Sequence, residues 1–425
     1  MRRFLLLTAA AFASASPSVA APLDDLALRY VTLSLEAGER EPGYVDAYYG
    51  PAALAEAAKA HPRDVAALSH EAEALAAALT AIDLASLDAD SRRRRTFLIG
   101  QVTAARTRLT MMTGTRLPFA DEAQGLFSVR PTLKPLSAYD PVLARAEALV
   151  PGPGPLWQRV DAYQNRFVVA ADRLDPVMRA AIAGCRARTL AHIALPKDER
   201  FELQFVTKQP WSGYNWYKGN ATSLIQVNTD LPVRIDRAVD LGCHEGYPGH
   251  HALNMLLEQK LAKGRGWIEF TVYPLFSPQS LIAEGSANYG IELAFPGPEK
   301  ARFEARTLYP LAALNPAEAA RYDRLLDALK ALAGARMTIA ADYLDGRIDR
   351  TEALALLQRY QLVSPERAAQ SLSFTEKYRS YVINYGLGQD MVRAHVERAG
   401  PTAAMRWKAM ERVISEPTVP ADLLP

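Results

Sequence analysis

Three of the seven histidines in this 425-residue chain lie between positions 244 and 251, in the stretch Cys-His-Glu-Gly-Tyr-Pro-Gly-His-His. A histidine followed directly by a glutamate is the pair that zinc hydrolases use, the imidazole to hold a metal and the carboxylate to take a proton from attacking water. Two histidine ligands must bring their ring nitrogens within roughly 3 to 4 Å of each other, because each sits about 2.1 Å from the shared ion. A regular helix does this at i and i+4, which lie about 6 Å apart along the axis and within ~40° of one face. This chain lacks that spacing. His250 is i+6 from His244, about 120° off-face, and His251 is i+7, on-face but ~10.5 Å away. A straight helix through the segment leaves the histidines unable to share a metal.

Pro248-Gly249 changes the geometry. Proline offers no N–H to the carbonyl of residue 244 and disfavours the α conformation at Tyr247, while glycine tolerates the turn that follows. A helix beginning near "PVRIDRAVDLG" is therefore expected to break after the His-Glu pair and restart at the second histidine, bringing His250 back beside His244. The turn geometry, not the periodicity, decides whether His250 or His251 faces the first imidazole.

Helical patterns position this segment. "LDDLALRYVTLSLEAG", "DVAALSHEAEALAAALTAI" and "RRTFLIGQVTAARTRLTMM" repeat apolar residues at three and four, as do several stretches of the last third. In "PVMRAAIAGCRARTLAHIAL", Pro176 is expected in the first turn. One region differs: "FELQFVTK" (Phe201 to Lys208) alternates in period two, and "GYNWYKGNATSLIQVNT" places two β-prone runs around Gly219-Asn220. The expected fold is mainly α-helical, a large helical body with a small β-hairpin or sheet next to the candidate metal site.

Composition sets the class. The chain opens with Arg2-Arg3, an apolar run from Phe4 to about Ala13, and Ser18-Val19-Ala20, the order of a secretory signal peptide. Residues 1–20 are expected to be removed and the rest, 21–425, to form a single helical domain in the periplasm or outside the cell. The Pro/Gly-rich stretch near 150–155 is the one candidate subdivision. No integral membrane segment is expected after removal of the signal. The formal charge of +2 falls to near zero without the two arginines of that segment, which gives no reason to invoke nucleic acid or an anionic membrane. The run Arg92 to Arg95 reads as part of a helix whose aliphatic stems cover apolar neighbours. Cys185 and Cys243 can form one disulfide at most, so this is no disulfide scaffold. Cys243 reads as a small buried residue under the site. His61, His70, His192 and His395 read as structural.

The His-Glu-x-x-Pro-Gly-His-His motif, preceded by "QVNTDLP" and followed some thirty residues later by "EGSANYG", resembles the bacterial domain-of-unknown-function 885 family. That family is distantly similar to the zinc peptidases with a glutamate as third protein ligand, such as the oligopeptidases and the angiotensin-converting enzyme group. The resemblance covers roughly Trp211 to Glu292 and implies a mostly helical fold with the site in a long groove. It implies one zinc ion, with other divalent metals suited to the same ligands, held by His244, His250 and Glu284. Glu245 then stays off the metal as general base, and His251 supports the ligands or touches substrate. Ser286 stands where a bulky aromatic is common in the family, which bears on pocket shape. Glu292 is the rival third ligand, but the small residues Gly285, Ser286 and Ala287 favour close approach of the Glu284 helix. Peptidases of this type often steady the oxyanion with a phenol; "KYRSYVINYGLG" offers Tyr381 and Tyr385, of which Tyr385 is the candidate. The strand "SLIQVNTD" is expected either to pair with an extended peptide, with Asn228 in contact, or to serve as an internal hairpin strand.

The expected function is a zinc-dependent hydrolase, a peptidase acting on small peptides. A metal amidase acting on a non-peptide amide uses the same chemistry. A non-catalytic metal-binding helical protein predicts instead a filled coordination sphere and a dispensable Glu245, and a metal-free scaffold predicts no stoichiometric metal.

Overall fold

The three- and four-residue apolar spacing builds helices, and their buried stripes make the core. The computed structural model describes residues 20–425, so the signal peptide expected over residues 1–20 lies, apart from Ala20, outside the described residues. Helix Val65–Ala81 shows the pattern: Asp64 caps it by accepting from the Ala67 N–H, and Leu68, Ala72, Leu75 and Leu79 are buried along one side. Helix Ala89–Met112 carries the arginine run, and its arginines find partners rather than forming a patch. Arg94 is buried, with Nε 2.6 Å and Nη2 2.9 Å from the two carboxylate oxygens of Glu269. Arg93 pairs with Glu416, and Arg95 donates to the Leu79 carbonyl.

Helix Ala171–Leu190 begins earlier than Pro176 led us to expect. The proline is the sixth residue, inside the helix. Its missing N–H would have bonded the carbonyl of Asp172, which lies on the exposed first turn where water serves as well. Near 150–155 the chain passes from helix Asp140–Leu149 to helix Leu156–Gln164, and buried Ala146, Val150 and Val160 belong to one continuous apolar cluster.

Two helices at the centre bear most directly on the site. Helix Pro278–Ala294 is buried along almost all of its length and crosses helix Ile383–Arg398 at two glycines. A Cβ on Gly285 would fall 2.5 Å from the backbone of Gly388, so only glycine allows this approach.

The strands form two small sheets. β1 (Val45–Tyr48) pairs antiparallel with β5 (Val272–Pro274), a short sheet that the alternation pattern does not reveal. β2 (Arg200–Val206), β3 (Gly213–Tyr217) and β4 (Thr222–Asn228) form the second, in the order β2-β4-β3. β4 runs parallel to β2 and antiparallel to β3, and the β3–β4 turn passes through Gly219 and Asn220, both with positive φ. Among the described residues, no helix is long and apolar enough to cross a membrane.

Candidate metal centre

The helix leading to the histidine cluster, Asp236–Leu241, ends in a wide π-type turn over Gly242–Gly246 that carries His244 and Glu245. Turns of this kind are frequent at functional sites because they re-aim side chains that a regular helix would splay. The chain leaves the helix at Tyr247, passes Pro248, and starts a new helix at His250, running to Leu257. Gly249 makes the reversal possible. Its N–H donates to the Cys243 carbonyl at 3.0 Å, and a Cβ there would lie 1.8 Å from the His244 carbonyl oxygen. The two rings meet edge to face, with His250 Nε2 3.1 Å from His244 Nε2.

Glu284 reaches the same point from the central helix. Its Oε2 is 3.1 Å from His244 Nε2 and 3.7 Å from His250 Nε2. Ligand atoms around a tetrahedral zinc with bonds of about 2.0–2.1 Å are separated by ~3.3 Å, which the three observed spacings straddle. Neighbouring groups ready these atoms. The Asn288 amide donates to the Tyr385 carbonyl at 3.0 Å, which turns its Oδ1 toward His244 Nδ1 at 2.9 Å. His244 must then carry its proton on Nδ1, leaving a lone pair on Nε2. Tyr381 donates to Glu284 Oε1 at 2.7 Å, whereas Glu284 Oε2 is buried with no hydrogen-bond partner. An orphaned carboxylate oxygen beside two imidazole nitrogens is the donor set that a divalent cation completes. Burial pushes the Glu284 carboxyl up, but the facing imidazoles of His244 and His250 outweigh it and hold the group well below the usual range.

Glu245 sits beside this set. Its carboxylate is within 4.8 Å of the His244 and His250 nitrogens, yet it pairs with neither. Glu284 Oε2, at 3.1 and 3.7 Å from the two imidazole nitrogens, stands at ligand spacing, whereas Glu245 is close to both histidines without pairing with either. Burial pushes the Glu245 carboxyl up to about 7, with His250 opposing and Glu284 and Asp46 adding to the rise. Asn215 Nδ2 donates to the Glu245 carbonyl at 2.6 Å, tying the turn to β3. Asp46 on β1 shares the cavity, accepts from the Tyr214 hydroxyl, and is pushed up to about 7 chiefly by burial. The Tyr385 ring stacks near His244, with centroids 6.4 Å apart and planes 19° off parallel, and burial raises its phenol well above the ordinary value. His244, Glu245, His250, Glu284 and Tyr385 all line one groove with a cavity volume of about 670 Å³.

Other expected residues are placed elsewhere. His251 is fully buried, with Nδ1 2.7 Å from Ser223 Oγ and Nε2 3.1 Å from Glu199, so it has no access to substrate. Asn228 points inward, donating to the carbonyls of Gln209 and Trp211 and accepting from the Asp230 N–H. Its strand, β4, is paired on both sides and has no free edge for a peptide. Glu292 is engaged by Arg393 at 2.9 Å and by Gln389 at 3.0 Å. Cys243 is bonded to Cys185, which ties the turn to helix Ala171–Leu190 and removes the thiol as a ligand. Sequence reasoning missed Asn288, although it stands four residues after Glu284 on the same helix face and was legible there. Asp46 carried no such signal, because only the tertiary fold brings β1 to the groove.

No protein-family model and no curated protein matches the chain. Among solved structures it is similar to a candidate lipoprotein from Colwellia psychrerythraea, with a TM-score of 0.53 and 16% identity over 84% of this chain and 65% of that one. The two share a fold, and this chain spans less than two thirds of the other's length, 65%. A second similar structure is the M32 carboxypeptidase from Deinococcus radiodurans R1, with a TM-score of 0.36 and 15% identity over 92% of this chain and 89% of that one.

Proposed function

We propose that the chain is a zinc-dependent hydrolase that cleaves small peptides outside the cytoplasm. The convergence of His244 Nε2, His250 Nε2 and the unpartnered Glu284 Oε2 within 3.1 to 3.7 Å carries this reading. Zinc in such a site supplies Lewis acidity toward a carbonyl oxygen and toward water. Glu245, beside the ligands and facing the groove, takes the proton of the attacking water and returns it to the leaving amine. Tyr385, its phenol kept protonated, donates to the carbonyl oxygen as negative charge develops there.

Two features support an open fourth position over a closed structural site. His251 is turned away toward Glu199, and Cys243 is locked in a disulfide, so neither fills the sphere. The disulfide also favours an oxidising compartment. A groove walled largely by helices favours short or unfolded chains over folded proteins. Elemental analysis of the purified protein tests the reading. About one equivalent of zinc in the wild type, lost in His244→Ala, is the expected result; no metal retained after zinc is offered and the excess washed away would sink it.

A further inference from the structure

Another wall of the groove has an unanswered charge. Arg336, on helix Ala333–Leu344, lines the cavity without an ion pair among the described residues, and its Nε is buried with no partner. Its guanidinium lies over the Phe374 ring, 5.3 Å from the centroid. Phe374 belongs to helix Pro365–Tyr378, and one turn before it Ser371 Oγ is also buried without a partner. Four residues earlier still, on the same face, Arg367 lines the cavity and spends one Nη2 donor on the Pro232 carbonyl.

Of the carboxylates that line the groove, Glu292 is matched by Arg393 and Asp240 by Arg237 and Lys300, while Asp46, Glu245 and Glu284 gather at the metal centre. A half-buried guanidinium whose Nε lacks a partner, in the same cavity as an orphaned hydroxyl, is costly unless something anionic arrives. Planar, forked donors fit a carboxylate best. Ring contacts link this pocket to the metal centre, Phe374 to Tyr385 at 5.9 Å and Tyr385 to His244 at 6.4 Å. A peptide advances about 3.3–3.6 Å per residue, so a few residues bridge the two.

We infer that Arg336, with Ser371 and Arg367, forms a carboxylate subsite that takes the free C-terminus of a short peptide whose scissile bond lies at the metal centre. This rests on the peptidase reading above and adds an end requirement to it. The test uses three pools of short peptides: free acids without Asp or Glu, the same sequences as C-terminal amides, and amides carrying one internal Glu. Zinc-loaded wild type is expected to cleave the free acids, with kcat/KM lower by about 100-fold or more on the plain amides. Arg336→Ala should lose a similar factor on the acids and leave the amides unchanged. Arg336→Lys, which keeps the charge and guards against misfolding, should recover part of it.

Equal cleavage of acids and amides by the wild type, or equal loss on both in Arg336→Ala, overturns the subsite. Rescue of the amides by the internal Glu also overturns the end requirement and assigns the pocket to an acidic side chain. Equilibrium binding of the same pools to Glu245→Gln separates the two readings. Arg336-dependent preference for free acids in binding, without turnover by the wild type, leaves the subsite standing and removes the hydrolase. Turnover without any end preference does the reverse, and neither preference nor turnover removes both.

Discussion

His250 and His251 are neighbours in the chain and share no chemistry. His250 turns its Nε2 toward a groove where it meets His244 Nε2 and where Glu284 leaves one carboxylate oxygen unanswered. His251 is sealed in a wall where Ser223 and Glu199 occupy both ring nitrogens, and Tyr247 and Arg186 also donate to Glu199. The groove cluster is incomplete as protein alone, whereas the wall cluster is closed. Residue type does not assign function here; unmet bonding capacity does. The wall cluster holds both ends of the turn, since Tyr247 precedes Pro248 and His251 follows His250. Its work is to keep the groove cluster in place.

Substitutions break this contrast in order of severity. Glu284→Ala removes the proposed anionic ligand, and stoichiometric zinc should vanish from elemental analysis, whereas Glu292→Ala should keep it; the opposite pattern would exchange their roles. Glu245→Gln should retain zinc and lower kcat by about 10²–10⁴-fold, the range for a general base. If turnover is unchanged, Glu245 is not the base. Asn288→Ala frees the His244 tautomer and should weaken zinc affinity by about 10–100-fold in a chelator competition, as losses of a ligand's hydrogen-bond partner do.

The wall cluster should respond to acid rather than to chelator. Burial pushes the Glu199 carboxyl up, but hydrogen bonds from His251, Tyr247 and Arg186 outweigh it and bring the group to about 2. A depressed folded-state value contributes stability that is present above the unfolded value of ~4.3 and lost as pH falls toward 2, about 3 kcal/mol in all. Denaturant melts between pH 5 and 2 should show that slope in the wild type and a shallower one in Glu199→Gln. Equal slopes would mean that the acid response originates elsewhere.

Much of this was legible in the residues. The helical body follows from apolar spacing, the three-stranded sheet from alternation around Gly219-Asn220, and the bend at the histidines from Pro248-Gly249. Other features needed three dimensions. β1 and β5 are too short for alternation to register, so Asp46 came without warning. Asn228 and His251 looked like binding residues because polarity near a motif reads the same whether a side chain faces a groove or a backbone carbonyl. Arg336 was one arginine in an amphipathic helix, and only its place on the groove wall with an unpartnered Nε distinguishes it.

The Cys185–Cys243 bond also bears on when the centre becomes dependable. It closes a loop with a sequence separation of 58, which in the chain-entropy description opposes unfolding by about 4 kcal/mol. It does so at the residue just before His244. A chain whose thiols are still reduced holds that turn by packing and by the hydrogen bonds of Asn215, Tyr247 and His251 alone, so oxidation of the pair is the step that fixes the position of His244.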